Sequence, residues 1–106
     1  MTIEETIETT LLHLSFTTHN VKGLLAILSK YVVMTRSEIG CKNVDLCGSF
    51  TESNKFVIIE KWESEIAARR HFDSDVMVEM AKNCSDLLTK QPEIDLLEGI
   101  SAHDLA

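Results

Sequence analysis

Apolar and polar positions alternate most clearly over FVIIEKW, residues 56–62, where Phe56, Ile58 and Trp62 stand against Val57 and Ile59. A period of two puts successive side chains on opposite faces of an extended chain, which predicts a strand over 55–63. The same reasoning gives a strand over CKNVDLCGSF, with Val44, Leu46 and Phe50 set against Asn43, Asp45 and Ser49. The polar TESN at 51–54 joins the two as a hairpin. TTLLHLSFTT at 9–18, rich in Thr, Leu and Phe, predicts an earlier strand, and EIDLLEGI after Pro92 predicts a last one.

Between these lie segments of helical period. Asn20 is a plausible cap for a helix carrying Val21, Leu24, Leu25, Leu28 and Val32 and running to about Arg36, with Gly40 ending the following turn. Ser64 caps a short helix to Phe72, and DSD at 73–75 breaks and restarts it. Val76, Met77, Met80, Ala81, Cys84, Leu87 and Leu88 then form one stripe, with Glu79, Lys82 and Asp86 outside it. The order is β-α-β-β-α-α-β. It predicts an α+β fold, an antiparallel sheet of ferredoxin-like topology with helices on one face. Two strands are apolar on both faces, the last with Ile94, Leu96 and Ile100 opposed by Leu97. Helices cover one face only. The other face needs a second cover, so a face-to-face homodimer through Val57, Ile59 and Leu97 is expected.

Length sets the scale. A chain of 106 residues fits one compact domain, expected over 9–102, after an acidic leader at 1–8 and before a short tail at 103–106. The leader MTIEETIETT has no basic start or apolar centre, so it is no secretory signal, and a cytoplasmic location is expected. No apolar run approaches a membrane span. The formal charge is −7 and no Lys/Arg stripe runs along a face. Nucleic acid and anionic membranes are therefore poor partners. Cys41, Cys47 and Cys84 are odd in number and include no CxxC pair. Cys41 and Cys47 lie about 20 Å apart along one strand, too far for a bridge, which predicts three reduced thiols.

The candidate chemistry gathers at the corner after residue 62. Trp62 offers a ring for an aromatic ligand and an indole N–H, or else serves as a large core residue. His71, nine residues on, offers a proton acceptor near neutral pH, or else a satisfied helix histidine. Ala67 lies one helical turn before His71 and leaves room beside it, so Trp62, Ala67 and His71 are expected to share a pocket. His13 points to the pocket or to the outer sheet face, depending on register. Glu60 and Arg36 are expected to pair. The four histidines are scattered and GxGxxG is absent, so neither a metal nor a nucleotide cofactor is expected.

The run TRSEIGC (35–41), a hairpin, then FVIIEKWESEIAARRHFDSD resembles the antibiotic biosynthesis monooxygenase, or quinol monooxygenase-like, family. The matching positions are Arg36, Glu38, Gly40 and Cys41, then Phe56, Glu60, Trp62 and Glu63, then Ala67, His71 and Phe72. The resemblance covers roughly residues 10–100. It implies a dimeric α+β barrel with a pocket between sheet and helices, and a strand Trp beside that pocket. Some members oxidise quinol or polyketide aromatics with O₂ and no metal or flavin. Others cleave haem or have no known activity. The haem-cleaving branch has a first-strand Asn, a helical Trp and a ligating His. Here these positions hold Leu12 or His13, His71 and Met80. The polyketide-oxidising branch has an Asn four residues before its strand Trp, where this chain has Ile58.

The resulting expectation is a cofactor-independent monooxygenase of a small aromatic. His71 and Trp62 would be its catalytic pair, with His13, Ile58, Ala67 and Met80 lining the substrate. The alternatives are a small-ligand-binding or stress-response dimer without turnover, and an isomerase or decarboxylase on the same scaffold. Oxygen consumption separates the first from the others.

Overall fold

In the computed structural model, residues 9–101 are described. The leader expected at 1–8 and the tail at 103–106 lie outside them. The elements follow the order β1 (Thr10–Thr17), α1 (Val21–Arg36), β2 (Cys41–Gly48), β3 (Lys55–Trp62), α2 (Glu65–Phe72), α3 (Asp75–Cys84) and β4 (Glu93–Glu98), with a 3₁₀ turn at Ser85–Leu87. The four strands form one antiparallel sheet in the order β2-β3-β1-β4. This is the expected ferredoxin-like α+β arrangement.

Each helix starts where a side chain satisfies an otherwise unpaired N–H. Asn20 Oδ1 accepts from Gly23 N at 2.9 Å, Ser64 Oγ from Ala67 N at 3.1 Å, and Ser74 Oγ from Met77 N at 3.2 Å. The helices cover one face of the sheet. Leu12, Leu14 and Phe16 of β1 and Ile58 and Trp62 of β3 are buried there against Leu24, Leu28, Met77 and Met80. The opposite face carries Leu11, His13, Val57, Ile59 and Leu97, none of them fully buried.

Two strand expectations need trimming. Phe50 and Ile100 lie beyond the ends of β2 and β4 and are among the most exposed residues, so neither extends an apolar strand face. On edge strand β4 even Ile94 and Leu96, on the helix-side phase, stay partly open, because α2 and α3 cover the sheet's centre better than its rim.

Candidate functional site

Glu60 is the unexpected residue of β3. It shares the phase of Ile58 and Trp62, so its carboxylate points under the helices, and all three side chains are buried. A lone buried carboxylate costs several kcal/mol unless donors surround it. Two surround this one. Trp62 Nε1–H donates to Oε1 at 2.9 Å, and the Tyr31 hydroxyl contacts Oε2. Tyr31 comes from the third turn of α1, three and seven residues after the core positions Leu28 and Leu24.

The chain of contacts continues outward. The Tyr31 hydroxyl lies 2.7 Å from His71 Nε2, and His71 Nδ1 lies 2.9 Å from Glu38 Oε1. His71 Nε2 is also 3.5 Å from Glu60 Oε1. The imidazole stacks on the Trp62 indole, with ring centroids 4.7 Å apart and planes at 26°. Glu60 and Trp62 are 0 % exposed, His71 1 % and Tyr31 2 %. Only Glu38 reaches water, with 25 % of its side chain exposed. Its other oxygen, Oε2, is buried and has no hydrogen-bond donor among the described residues.

Backbone geometry sets the outer end. After α1 closes at Ser37, Glu38 N–H donates to Thr35 O at 3.0 Å and Cys41 N–H donates to Glu38 O at 3.2 Å. Gly40 takes φ +90°, and a Cβ there would meet Ala67 Cβ at 2.8 Å. Only glycine therefore lets this turn lie against α2, which brings Glu38 to His71. Gly40 O also accepts from Glu63 N–H at 2.9 Å.

The electrostatics follow from burial. Burial raises the Glu60 carboxyl above the usual range, while the hydrogen bond from Tyr31, the charge of His71 and the Trp62 N–H pull it back. Burial, then the Glu60 carboxylate, push the Tyr31 phenol well up, so it stays protonated. Burial, then Glu60 and Glu38, push the nearby Cys41 thiol up to about 11.

With the same number of protons, two placements satisfy every contact in this chain. In one, Glu60 is ionised and the imidazolium donates to both Tyr31 and Glu38. In the other, Glu60 is protonated and donates to Tyr31, which donates to a neutral His71. A shift of two protons through the Tyr31 hydroxyl interconverts them, so Glu60–Tyr31–His71 has the geometry of a proton relay.

Of the expected site residues, Trp62, His71 and Ala67 come together under α2. The two rings, however, close on each other rather than on an open space. Ile58 is core beneath them. Met80 lies in α3 and forms part of the wall of two cavities. His13 sits on the opposite face of the sheet, paired with Ile59 and Asp95, and is not brought to the cluster. Arg36 does not pair with Glu60. Its guanidinium donates to Val44 O at 3.1 and 2.8 Å and lies 4.0 Å from Asp45. Tyr31 is not singled out by the sequence, although it falls on the apolar stripe of its helix. The phase of Glu60, an acid on a core face, is the available signal.

Two cavities border α3, and of these the smaller is lined by a member of the cluster, Tyr31. One of about 190 Å³ lies between α1 and α3 and is lined by Tyr31, Met34, Val76 and Met80. A larger one of about 510 Å³ lies between α3, β1, β4 and the 85–92 connection, lined by Leu14, Phe16, Phe72, Met77, Met80 and Ile94 among others. Among the described residues no group of three His, Cys, Asp or Glu is placed to hold a metal ion, and no helix is long and apolar enough to cross a membrane.

Comparison with known proteins bears on the whole of this architecture. A candidate antibiotic biosynthesis monooxygenase of Nitrosomonas europaea superposes with a TM-score of 0.83 at 11% identity, over 91% of this chain and 94% of that one. The PA3566 protein of Pseudomonas aeruginosa gives 0.75 at 26% identity, over 88% and 94%. In sequence, an uncharacterised protein of Synechocystis is 31% identical over 72 residues, which is 68% of this chain. The chain spans about half the length of that relative, 49%. Residues 12–83, from β1 to the last turn of α3, match the antibiotic biosynthesis monooxygenase family, and the chain belongs to it.

Proposed function

We propose that this protein is a monooxygenase that oxidises a small electron-rich aromatic, of quinol or polyphenol type, without a metal or flavin. The observation that carries the reading is the buried Glu60–Tyr31–His71–Glu38 chain with one member, Tyr31, in the wall of a cavity. Tyr31 lines the smaller cavity. A phenolic substrate there would give up its proton through the Tyr31 hydroxyl to His71, the proton that Tyr31 passes on being replaced by the substrate's. The phenolate is the reductant. O₂ takes four electrons from it, one oxygen atom replacing a ring hydrogen to give a quinone and the other leaving as water. Trp62 has its ring on His71 and its N–H on Glu60, so its role is to hold the relay rather than to stack on the substrate. Ile58 and Ala67 pack the cluster, and Met80 bounds the cavity. The open face of the sheet, with Val57, Ile59 and Leu97, is the surface for a second copy of the chain.

An oxygen electrode with a panel of hydroquinones is the test, with product identified by mass. Stoichiometric O₂ uptake by protein with a cofactor-free absorption spectrum is expected. A bound flavin, haem or transition metal needed for turnover would overturn the cofactor-free part. The burial of both Trp62 and His71 favours a second reading, a ligand-binding dimer without turnover, in which the cluster is a satisfied polar core. That reading predicts a rise in melting temperature with ligand and no O₂ uptake.

A further inference from the structure

We infer that the ligand of this fold is an amphiphile, a single-ring phenol or quinol with an aliphatic chain, rather than a compact polyphenol. The hydroxyl part of this inference rests on the function proposed above, while the aliphatic part stands on the cavities alone. The larger cavity, about 510 Å³, falls in the range of small-molecule sites. Its inner wall is Leu14, Phe16, Met77, Met80 and Ile94, and its polar groups, Ser85, Thr89, Lys90 and Gln91, come from one connecting segment. A polyhydroxylated ring would lose hydrogen bonds to water there without regaining them. An alkyl chain would lose nothing.

The two cavities share one residue, Met80. On its far side the smaller space has Tyr31, the central member of the relay, and Lys30, Glu79 and Asn83. Met80 is packed in the core, and its one polar contact among the described residues is weak, the Cys84 thiol donating to its sulfur at 3.7 Å. An unbranched thioether with three rotatable bonds is the side chain best able to move aside. Turning it joins an apolar trough to a space with a proton relay at its end. Such a space fits a molecule with one polar head and one aliphatic tail. The head would lie toward Tyr31 and the tail between Phe16, Met77 and Ile94.

The test uses 4-hexylresorcinol, resorcinol and hexylbenzene as probes, with binding measured by calorimetry and thermal shift under nitrogen. Burial of a six-carbon tail should make hexylresorcinol bind about 10²–10³-fold tighter than resorcinol. The hydroxyls should make it at least about tenfold tighter than hexylbenzene. Ala81 is exposed yet lines the larger cavity, so Ala81→Trp should fill the trough and abolish the advantage of the tail while the protein folds normally. Val33→Trp, on the exposed face of α1, should leave binding unchanged. Equal affinity for resorcinol and hexylresorcinol would overturn the inference, as would undiminished binding by Ala81→Trp. Equal binding of hexylbenzene would overturn the placement of the head. Tight binding of hexylresorcinol with no O₂ uptake in air would uphold the ligand class and reject the oxidation.

Discussion

Removing one oxygen atom, in Tyr31→Phe, isolates the polar cluster from the packing around it. The ring stays and almost no cavity is left, so the change in stability reads the hydrogen bonds. Two buried atoms lose their partner, Glu60 Oε2 and His71 Nε2. An orphaned buried polar atom costs roughly 1–3 kcal/mol. His71 Nε2 lies 3.5 Å from Glu60 Oε1 and can recover part of one bond by a small shift. The expected loss is therefore about 2–5 kcal/mol, a large share of the roughly 5–15 kcal/mol that holds a domain together. For a domain of this size that corresponds to a fall of roughly 10–25 °C in melting temperature. Urea titration followed by the fluorescence of the single tryptophan, Trp62, measures it, and the probe sits on the affected imidazole. Glu60→Gln is the companion. Its amide can accept from Trp62 and donate to Tyr31, so it mimics the protonated carboxyl and should cost far less. In the Glu60→Gln background the loss from Tyr31→Phe should change by about 1 kcal/mol or more, the coupling of residues in one network. A loss under about 0.5 kcal/mol in Tyr31→Phe, with additive behaviour in the double variant, would mean that the cluster does not hold the fold and that the proposed relay lacks its central contact.

Four further outcomes are expected. Because the folded-state pKa of Glu60 is raised, folded protein keeps a proton that unfolded protein has released. The contribution of Glu60 is thus fully present below its unfolded pKa of about 4.3 and is lost as pH rises through the folded value; the stability difference between wild type and Glu60→Gln should fall over that window and level off above it. Gly40→Ala combines a left-handed backbone with a contact of 2.8 Å to Ala67 and should destabilise by about 2 kcal/mol or more in the same titration, with loss of the His71–Glu38 contact by NMR. Val57→Lys should place an unpaired charge on the face proposed for the second copy, costing the dimer several kcal/mol, and sedimentation should show monomer. With thiol pKa values of about 11, Cys41 and Cys84 should alkylate slowly at pH 8, a rate that mass spectrometry should show rising about tenfold per pH unit.

The fold was legible because local signals agreed with one another. Asn20 and Ser64 each cap the helix that follows, DSD at 73–75 marks the restart into α3, and periods of 2 and 3.6 mark the strands and helices. The strand ends were less legible, since Phe50 and Ile100 continue an alternation past the last ladder bond. The meeting of Trp62 and His71 followed from the turn between them. What that meeting consists of did not follow. Glu60 has an obvious partner of opposite charge in Arg36, yet the side chains that reach it come from α1 and from its own strand. Tyr31 and Glu60 are 29 residues apart, and nothing local links them. The register of β1 likewise decided that His13 faces away, and register is set by strand pairing across the sheet.

Strand order has a consequence for a chain being synthesised. β1 is central, but its β4 side is filled last, by partners such as Glu93 for Ser15, roughly 80 residues further on. At typical ribosomal speeds, the interval between completing β3 and completing β4 lasts about 2–7 s. Throughout it, TLLHLSFT presents an unpaired edge with no Lys, Arg, Asp or Glu to discourage pairing with another nascent chain. β4 then covers that edge and carries Glu93, Asp95 and Glu98 to the rim of the sheet. The charges that protect the finished edge are the last to emerge, so the period of greatest risk for this fold precedes its own safeguard.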